Sequence, residues 1–254
     1  MSIRLDVALT ERSLSESRSR AQAWIKDGLV SVNGKTVTKP SFPTEPDDEI
    51  AVRSEEVCPY VSRGGLKLAA ALSAFSVTVE GKICADIGAS TGGFTDCLLQ
   101  NGAAHVFAID AGSDQLHHVL RSDRRVTVIE HCNARYLTLK DLPTKVSLMT
   151  MDVSFISQTK LFSALTPFLT DGAVLLTLIK PQFEVGPHAL GKGGVVKDPK
   201  AREQAIRSVT EEAGRHGLRP VGRIDSPITG GDGNHEYMAC FVYQPENTKK
   251  EDAQ

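Results

Sequence analysis

The sequence predicts an α/β protein whose main part is a doubly wound, mostly parallel sheet of seven strands, preceded by a small α+β module. From residue 83 onward, apolar runs typical of buried strands alternate with segments of helical periodicity. Such alternation favours a parallel sheet with helices on both faces. Before residue 60, two short helical patterns and a hairpin signal occur instead.

The composition is that of a soluble globular protein, with 41% hydrophobic and 24% charged residues. The formal net charge of −2 gives no general attraction to nucleic acid, so any basic face must be local. The five cysteines form no CxxC pair, which favours reduced thiols in a cytoplasmic protein. No apolar run approaches the roughly 18 residues of a membrane span, and we expect no secretion signal.

The first module begins with two helices and a hairpin. Leu5, Ala8 and Leu9 have the i, i+3, i+4 spacing of one helix face. Ser15 is expected to cap a second helix, and Asn33-Gly34 between two short alternating runs indicates a two-residue hairpin turn. Residues 1–40 carry seven Lys or Arg against four acids, which suits a surface that binds a phosphate backbone. A solvated helix face is the alternative explanation.

Several passages of this module resemble the RNA-binding domain named after the fourth small-subunit ribosomal protein. They are Arg4-Leu5-Asp6, Ser15-Glu16-Ser17-Arg18-Ser19-Arg20-Ala21, Ile25-Lys26-Asp27-Gly28, Val30-Ser31-Val32-Asn33-Gly34 and Lys39-Pro40. The resemblance implies that six residues face structured RNA, namely Arg4, Ser15, Arg18, Arg20, Lys35 and Lys39.

The large domain is expected to open with a helix capped by Ser62. Arg63 and Lys67 lie four residues apart in it, so they project on one side. A solvated cationic stripe and a functional pair both fit this spacing. Further along we place strands near Ile83–Asp86, His105–Ile109, Val126–Glu130, Leu148–Asp152, Ala173–Ile179, Arg219–Ile224 and Met238–Val242, and helices near Phe94–Asn101, Gln158–Phe168 and Ala201–His216.

The strongest site signal is a strand, a glycine-rich loop and a helix in succession. The first strand ends at Asp86, and the loop Gly88–Gly93 follows it. Glycine permits positive φ and a close approach of ligand to backbone, and the helix start offers free N–H groups. This pattern predicts a nucleotide-like cofactor. The next strand ends at Asp110, where an acid can bind both ribose hydroxyls or, alternatively, cap the following helix.

Other strand ends also carry polar residues. Asp152 ends the fourth strand, Lys180 ends the fifth, and Glu236 precedes the last. Ligands of doubly wound sheets bind beyond the carboxyl ends of the strands, so these three side chains are candidates for chemistry. We predict no metal site, because His117-His118 is the only histidine pair and adjacent helical residues do not converge on one ion.

The glycine loop breaks the GxGxxG pattern of dinucleotide sites. It is similar instead to the S-adenosylmethionine loop of Rossmann-like methyltransferases. That similarity implies Asp86 near the methionine moiety, Asp110 on the ribose, and Asn133 and Arg135 near the adenine. It further implies cofactor contacts along Gly88, Ala89, Ser90, Thr91, Gly92, Gly93 and Phe94, and at Asp152.

The whole chain from Arg4 to about Tyr243 resembles the TlyA family, described both as hemolysins and as FtsJ-like rRNA 2′-O-methyltransferases. The passages that carry the resemblance are Tyr60–Leu68, Asp86–Asp96, Asp152–Ser157, Lys180–Glu184, Gly193–Asp198, Ser226–Ile228 and Gly233–Glu236. It implies an RNA-binding domain at residues 1–59, a Rossmann-like S-adenosylmethionine-dependent methyltransferase domain at 60–245 and a flexible tail at 246–254. It also implies methyl transfer to a ribose 2′-hydroxyl, with cytidine in ribosomal RNA as substrate.

The FtsJ-like tetrad corresponds here to Lys67, Asp152, Lys180 and Glu236, and Arg63 is expected to contact RNA. A ribose hydroxyl is a weak nucleophile, so a base or a hydrogen-bonding cation must assist it. Lys180 is our hypothesis for that group, oriented by the two acids, while Lys67 positions the hydroxyl. Neighbouring carboxylates favour a protonated lysine, so a role as base and a purely electrostatic role both stay open.

Three alternatives belong to other classes. A membrane-lytic protein would fit the hemolysin label, although the sequence has no long amphipathic cationic helix. A ribosome-assembly factor that binds RNA without catalysis would lack some of the tetrad. A nicotinamide dehydrogenase is disfavoured by the broken glycine pattern.

Overall fold

The computed structural model describes residues 2–15, 17–26, 28–53, 58–230 and 233–245. The tail predicted at residues 246–254 lies outside this part of the chain. The chain divides into two compact units, Met1–Pro59 and Tyr60–Gln254.

The first unit packs two short helices against short strands. In chain order its elements are β1 (Ile3–Arg4), α1 (Leu5–Glu11), α2 (Arg18–Lys26), β2 (Val30–Val32), β3 (Lys35–Thr36), β4 (Pro43–Thr44) and β5 (Ile50–Val52). Strand β1 pairs antiparallel with β4, and β3, β2 and β5 form a second antiparallel sheet in that order. Leu5, Leu9 and Ile25 are fully buried in the core of this unit, which confirms the predicted helix face of α1.

Two local predictions for this unit have different outcomes. The hairpin is confirmed, because Asn33 and Gly34 join β2 to β3 with φ values of 51° and 74°, the left-handed values that a type I′ turn requires. The cap at Ser15 is wrong. Ser17 Oγ accepts the amide of Arg20 at 3.2 Å, because the helix begins one residue after Ser17 and a cap side chain bonds the N–H three residues on.

The second unit is built around one sheet. In chain order its helices and strands are α3 (Gly64–Ala74), β6 (Ile83–Ile87), α4 (Gly93–Gln100), β7 (His105–Ile109), α5 (His118–Arg121), β8 (Val126–Ile129), β9 (Val146–Met151), α6 (Phe162–Leu165), β10 (Leu169–Ile179), α7 (Pro181–Glu184), α8 (Pro199–Arg215), β11 (Leu218–Asp225) and β12 (Tyr237–Tyr243).

The sheet has seven strands in the order β11-β12-β10-β9-β6-β7-β8. The pairs from β10 to β8 are parallel, whereas β12 runs antiparallel to both of its neighbours. The predicted doubly wound, mostly parallel sheet is therefore confirmed. The chain leaves β6 toward β7 on one side and later returns to β9 on the other side. Such a switch in strand order opens a crevice at the carboxyl ends of the strands, here those of β6, β9 and β10.

Both faces of the sheet are covered. Cys84 and Ala85 are both fully buried, yet Cys84 packs in one apolar cluster and Ala85 in the other. Successive side chains of a strand point to opposite faces, so the continuous apolar runs of the sequence correspond to strands enclosed on both sides. No helix in the described part of the chain is long and apolar enough to cross a membrane.

Two helix predictions in this unit are wrong. Residues 158–168 form a 3₁₀ turn, the short helix α6 and a second 3₁₀ turn rather than one helix. Pro167 lies in the last of these turns, and proline has no N–H with which to continue a helical ladder. Helix α3 begins at Gly64, and Arg63 instead of Ser62 occupies the cap position.

Candidate active site

A cleft of about 370 Å³ lies at the carboxyl ends of β6, β9 and β10. Lys67, Asp152, Lys180 and Glu236 all line it, together with Arg63 and parts of the glycine loop. Parallel strands bring their carboxyl ends to one sheet edge, and this explains how residues far apart in sequence converge. The structure therefore brings the four predicted catalytic side chains together, and their chemical role stays a prediction.

Lys180 and Asp152 form the first of two ion pairs. Lys180 Nζ lies 2.6 Å from Asp152 Oδ1 and donates a hydrogen bond of 2.8 Å to Ser154 Oγ. The Lys180 side chain is 12% exposed and that of Asp152 is 22% exposed. Pro181 begins α7 directly after Lys180, and its fixed φ and missing N–H end the strand there.

Lys67 and Glu236 form the second pair, which is more enclosed. Their Nζ and Oε2 atoms lie 2.5 Å apart, and the side chains are 11% and 3% exposed. The predicted alternative of a solvated cationic stripe is therefore wrong for Lys67, whereas Arg63 is exposed. Gly230 packs against the acid, since a Cβ there would lie 2.6 Å from Glu236 Oε1.

The glycine loop passes the site in a conformation that a side chain would block. Gly88 has a φ of +81°, and a Cβ on it would lie 2.4 Å from the carbonyl oxygen of Asp152. A Cβ on Gly93 would meet Ser62 Oγ at 2.3 Å. Ala89, Ser90, Thr91, Gly93 and Phe94 line the cleft with Gly88, whereas Gly92 is buried behind them. Backbone of the glycine loop thus lines the cleft directly, which fits the nucleotide-like cofactor that the sequence predicts.

A second cavity of about 560 Å³ shares Gly88, Ser90, Asp152 and Ser154 with the cleft. Asp110 lines it, and its two carboxylate oxygens accept the backbone amides of residues 90 and 112 at 2.8 and 2.7 Å. Asp110 thus ties two loops together instead of capping a helix. A carboxylate offers about four acceptor positions, so it can still receive ribose hydroxyls.

Three predicted cofactor residues line neither cavity, namely Gly92, Arg135 and Asp86. Arg135 is exposed and its guanidinium lies 5.9 Å from the ring centroid of Tyr136, whereas its neighbour Asn133 does line the second cavity. Asp86 is fully buried, and it accepts hydroxyl hydrogen bonds from Thr95 at 2.7 Å and Thr150 at 2.8 Å.

The environment of Asp86 is enclosed but polar. Burial raises the pKa of this carboxyl to about 6, in spite of the two hydroxyl donors that lower it. Thr95 belongs to α4 and Thr150 to β9, so the carboxylate joins the strand below the glycine loop to its neighbours. Asp86 supports the glycine loop from within the domain, and its predicted contact with the cofactor stays a prediction.

The residues predicted to face RNA in the first unit are mostly exposed. Arg4 and Arg18 have side chains 46% and 54% exposed, and both are held by the fully buried carboxylate of Asp6. Their hydrogen bonds lower the pKa of Asp6 well below its usual range. Lys35 and Lys39 are exposed, and Arg20 lies over the ring of Trp24.

Ser15 differs from these residues. It is 6% exposed and its hydroxyl donates to the carbonyl oxygen of Ser17 at 2.9 Å. The prediction that Ser15 faces RNA is therefore wrong for this conformation, since the hydroxyl serves the turn before α2.

Sequence reasoning missed three residues that hold the site in place. Ser154 binds the Lys180 ammonium. Asn234 is 1% exposed and links the loop before β12 to residues 194 and 196 through two hydrogen bonds. Glu184 accepts hydrogen bonds from Ser157 and from the amide of Gln158. Each lies inside a passage that carries the family resemblance, which was the available signal.

Comparisons with known proteins agree with this geometry. The sequence profile of FtsJ-like methyltransferases matches residues 60–243, and that of S4 domains matches residues 3–50. The 16S/23S rRNA (cytidine-2′-O)-methyltransferase TlyA of Mycobacterium tuberculosis is 42% identical over 96% of this chain and 91% of its own length. Hemolysin A of Brachyspira hyodysenteriae is 42% identical over 94% of this chain and 100% of its own. A solved candidate hemolysin from Streptococcus thermophilus has a TM-score of 0.76 at 41% identity, covering 96% of this chain and 89% of that one.

Proposed function

The chain belongs to the TlyA family of FtsJ-like methyltransferases, and from this premise we propose that it methylates the ribose 2′-hydroxyl of cytidine in ribosomal RNA with S-adenosylmethionine. The observation that carries the proposal is the convergence of the pairs Lys67–Glu236 and Lys180–Asp152 on one cleft beside the glycine loop. The relative from Mycobacterium tuberculosis bears the name of this activity and matches nearly the whole chain.

The cofactor would be held by the glycine loop at residues 88–94, by Asp110 and by Asn133. When bound, S-adenosylmethionine supplies an electrophilic methyl group on its sulfonium centre. The glycine backbone that lines the cleft and the remaining acceptor positions of Asp110 suit a nucleoside.

Lys180 is assigned the role of stabilising the 2′-oxygen as it becomes negative. An ammonium has three N–H donors. Ser154 Oγ accepts one of them, and Asp152 Oδ1 lies 2.6 Å from the nitrogen as the partner of an ion pair. The ammonium can therefore also donate to the substrate oxygen, and we assign it an electrostatic role rather than that of a base. Lys67, fixed by Glu236, would position the same hydroxyl.

RNA binding is assigned to the first unit. Its S4-domain match and the exposed cations at Arg4, Arg18, Lys35 and Lys39 suit the phosphates of structured RNA. We assign residues 1–59 to this task and 60–245 to methyl transfer. Because ribosomal RNA is the proposed substrate, we also propose that the reaction takes place in the cytoplasm.

The test is methyl transfer from labelled S-adenosylmethionine to ribosomal subunits and to naked rRNA, with the label located by nuclease mapping. We expect label on a cytidine 2′-oxygen, its loss in Lys180→Ala, and wild-type transfer in the control Lys160→Ala, whose lysine is exposed outside the cleft. Cofactor affinity should stay nearly unchanged in Lys180→Ala. Cofactor binding without transfer to any RNA would instead indicate a non-catalytic assembly factor.

A membrane-lytic function is the second candidate, because one relative carries the name Hemolysin A. Leakage of dye from liposomes by the pure protein would support it. Absence of leakage at protein concentrations that give full methyl transfer would leave the transferase activity as the function.

A further inference from the structure

Glu184 occupies a position that the catalytic assignment does not explain. It ends α7, the single helical turn that follows Lys180. Its carboxylate accepts a hydrogen bond of 2.5 Å from Ser157 Oγ and one of 3.1 Å from the amide of Gln158. Both donors lie on the loop that begins with Asp152, so Glu184 connects the two loops that carry the Lys180–Asp152 pair.

The far end of this loop is anchored in the sheet as well. The side chain of Gln158 is 1% exposed. Its Nε2 donates to the carbonyl oxygen of Leu178 at 3.0 Å, and its Oε1 accepts from Thr177 Oγ1 at 2.7 Å. Because Leu178 and Thr177 belong to β10, these hydrogen bonds fix the end of the loop to the strand that Lys180 directly follows.

A strained residue lies between the two anchors. Phe155 has a φ of +63°, a left-handed conformation that costs a bulky residue roughly 1–3 kcal/mol and persists only where surrounding contacts impose it. Its side chain is 91% exposed, so burial of the ring does not impose it. Hydrogen bonds hold the residues on both sides of it, from Lys180 to Ser154 and from Ser157 to Glu184. The ring centroid of Phe155 also lies 5.1 Å from that of Phe183, the residue before Glu184.

The Glu184 carboxylate is ionisable although it lies in a largely enclosed position. Burial raises the pKa of Glu184 because it disfavours the charged form. A neutral side chain would avoid that penalty, but an amide has only one acceptor oxygen. Only an ionised carboxylate accepts from both Ser157 and Gln158 without rearrangement of either donor.

We propose that Glu184 is a positioning residue of the methyl transfer, an inference that rests on the proposed function: it holds the loop from Asp152 to Gln158 so that Asp152 and Ser154 meet the Lys180 ammonium. Without this anchor the loop relaxes at Phe155, and the ammonium loses its fixed direction.

The test combines kinetics with hydrogen exchange on the full chain. Glu184→Ala should lower the single-turnover transfer rate at saturating cofactor and RNA by at least about tenfold, because misplacing a catalytic group by about 1 Å costs on the order of 100-fold. The KM for RNA should stay within about twofold. The Kd for S-adenosylmethionine should rise by a smaller factor than the transfer rate falls, because residues 152–156 also line the second cavity. Amide exchange of residues 153–158 should accelerate, while that of the sheet strands should not.

Two conservative variants test the hydrogen bonds themselves. Glu184→Gln keeps an acceptor for the Gln158 amide but not for the Ser157 hydroxyl. Its transfer rate should therefore lie between those of the wild type and Glu184→Ala. Ser157→Ala removes the same bond and also the contacts of this hydroxyl with Thr159, so adding Glu184→Gln to Ser157→Ala should lower the rate no further. Glu203→Gln is the matched control, an exposed acid of α8 paired with Arg223, and should transfer at the wild-type rate.

Outcomes separate this inference from the proposed function. A wild-type rate in Glu184→Ala overturns the inference, and so does a parallel loss of cofactor affinity and of exchange protection throughout the sheet, which would mean general destabilisation. If the wild-type protein transfers no methyl group, the proposed function fails, and the exchange data still decide the anchor: unchanged exchange at residues 153–158 overturns it.

Discussion

The enclosed pair Lys67–Glu236 allows stability and chemistry to be separated by substitution. The two side chains are 11% and 3% exposed and lie 2.5 Å apart. Removing one partner of a buried ion pair leaves an uncompensated charge, at a cost of about 3–5 kcal/mol, whereas replacing both with apolar residues of similar volume is often neutral or stabilising. The informative set is therefore Lys67→Met, Glu236→Leu and the double variant.

The expected magnitudes follow from the burial. We take the lower end, about 3 kcal/mol, for each single change, because Lys67 keeps slight contact with water. For a domain of this size 1 kcal/mol shifts the melting temperature by about 2–4 °C, so each single variant should melt about 6–12 °C below wild type. The double variant should recover to within about 3 °C of wild type, and it should still transfer no methyl group.

The assay is thermal unfolding of all four proteins, followed by single-turnover transfer below the lowest melting temperature. A double variant that is as unstable as the two single changes added together would refute the coupling of Lys67 to Glu236. A stable double variant with wild-type transfer would refute the placement of this pair in the catalytic machinery.

Three further predictions concern supporting residues. Asp6→Asn should weaken rRNA binding on the order of fivefold in filter binding, because two arginines lose a charged acceptor. The change in net charge alone predicts tighter binding instead. Glu11→Gln changes the net charge equally at an exposed position of the same unit and is the control. Gly88→Ala should lower S-adenosylmethionine affinity about tenfold or more by calorimetry, whereas Gly81→Ala, with a similar φ of +70° and open space around it, should bind normally. Burial raises the pKa of Asp86 to about 6, so the folded state holds a proton that the unfolded chain releases near pH 4. The stability that this group contributes is therefore present below pH 4 and lost by about pH 6, worth about 3 kcal/mol. The stability of wild type relative to Asp86→Asn should fall over that range in denaturant titrations, and a rise would contradict the assignment.

Much of the fold follows from patterns that are local in sequence. Continuous apolar runs identify strands covered on both faces, and the residues that end them lie at one sheet edge. That is why Asp152 and Lys180 were found as neighbours without any knowledge of their contacts. The direction in which each side chain points is harder to predict from the sequence, because it depends on residues distant in the chain. Asp86 accepts a hydrogen bond from Thr150 Oγ1, and nothing in its own strand–loop pattern predicts that partner.

Caps and turns show the same limit at shorter range. Ser15 and Ser17 are both acceptable caps by residue type, and the choice between them depends on where the packing of Ala21 and Ile25 starts the helix. Arg135 is predicted to lie near the adenine, yet it belongs to a 3₁₀ turn and its guanidinium lies 5.9 Å from the ring centroid of Tyr136. Spacing along the chain places a residue near a site, whereas the local backbone decides whether the side chain enters it.

The two ion pairs differ in a way that suggests separate tasks within one cleft. Glu236 is nearly inaccessible and is confined by Gly230, so the Lys67 ammonium has little freedom and is suited to fixing the orientation of a hydroxyl. Lys180 has more accessible partners, a partly exposed carboxylate and an exposed serine hydroxyl. A charge that is already fixed beside the 2′-oxygen stabilises it without reorganisation during the reaction. The unequal burial of the pairs thus supports the proposed division of tasks, with the electrostatic step at Lys180 and the orienting step at Lys67.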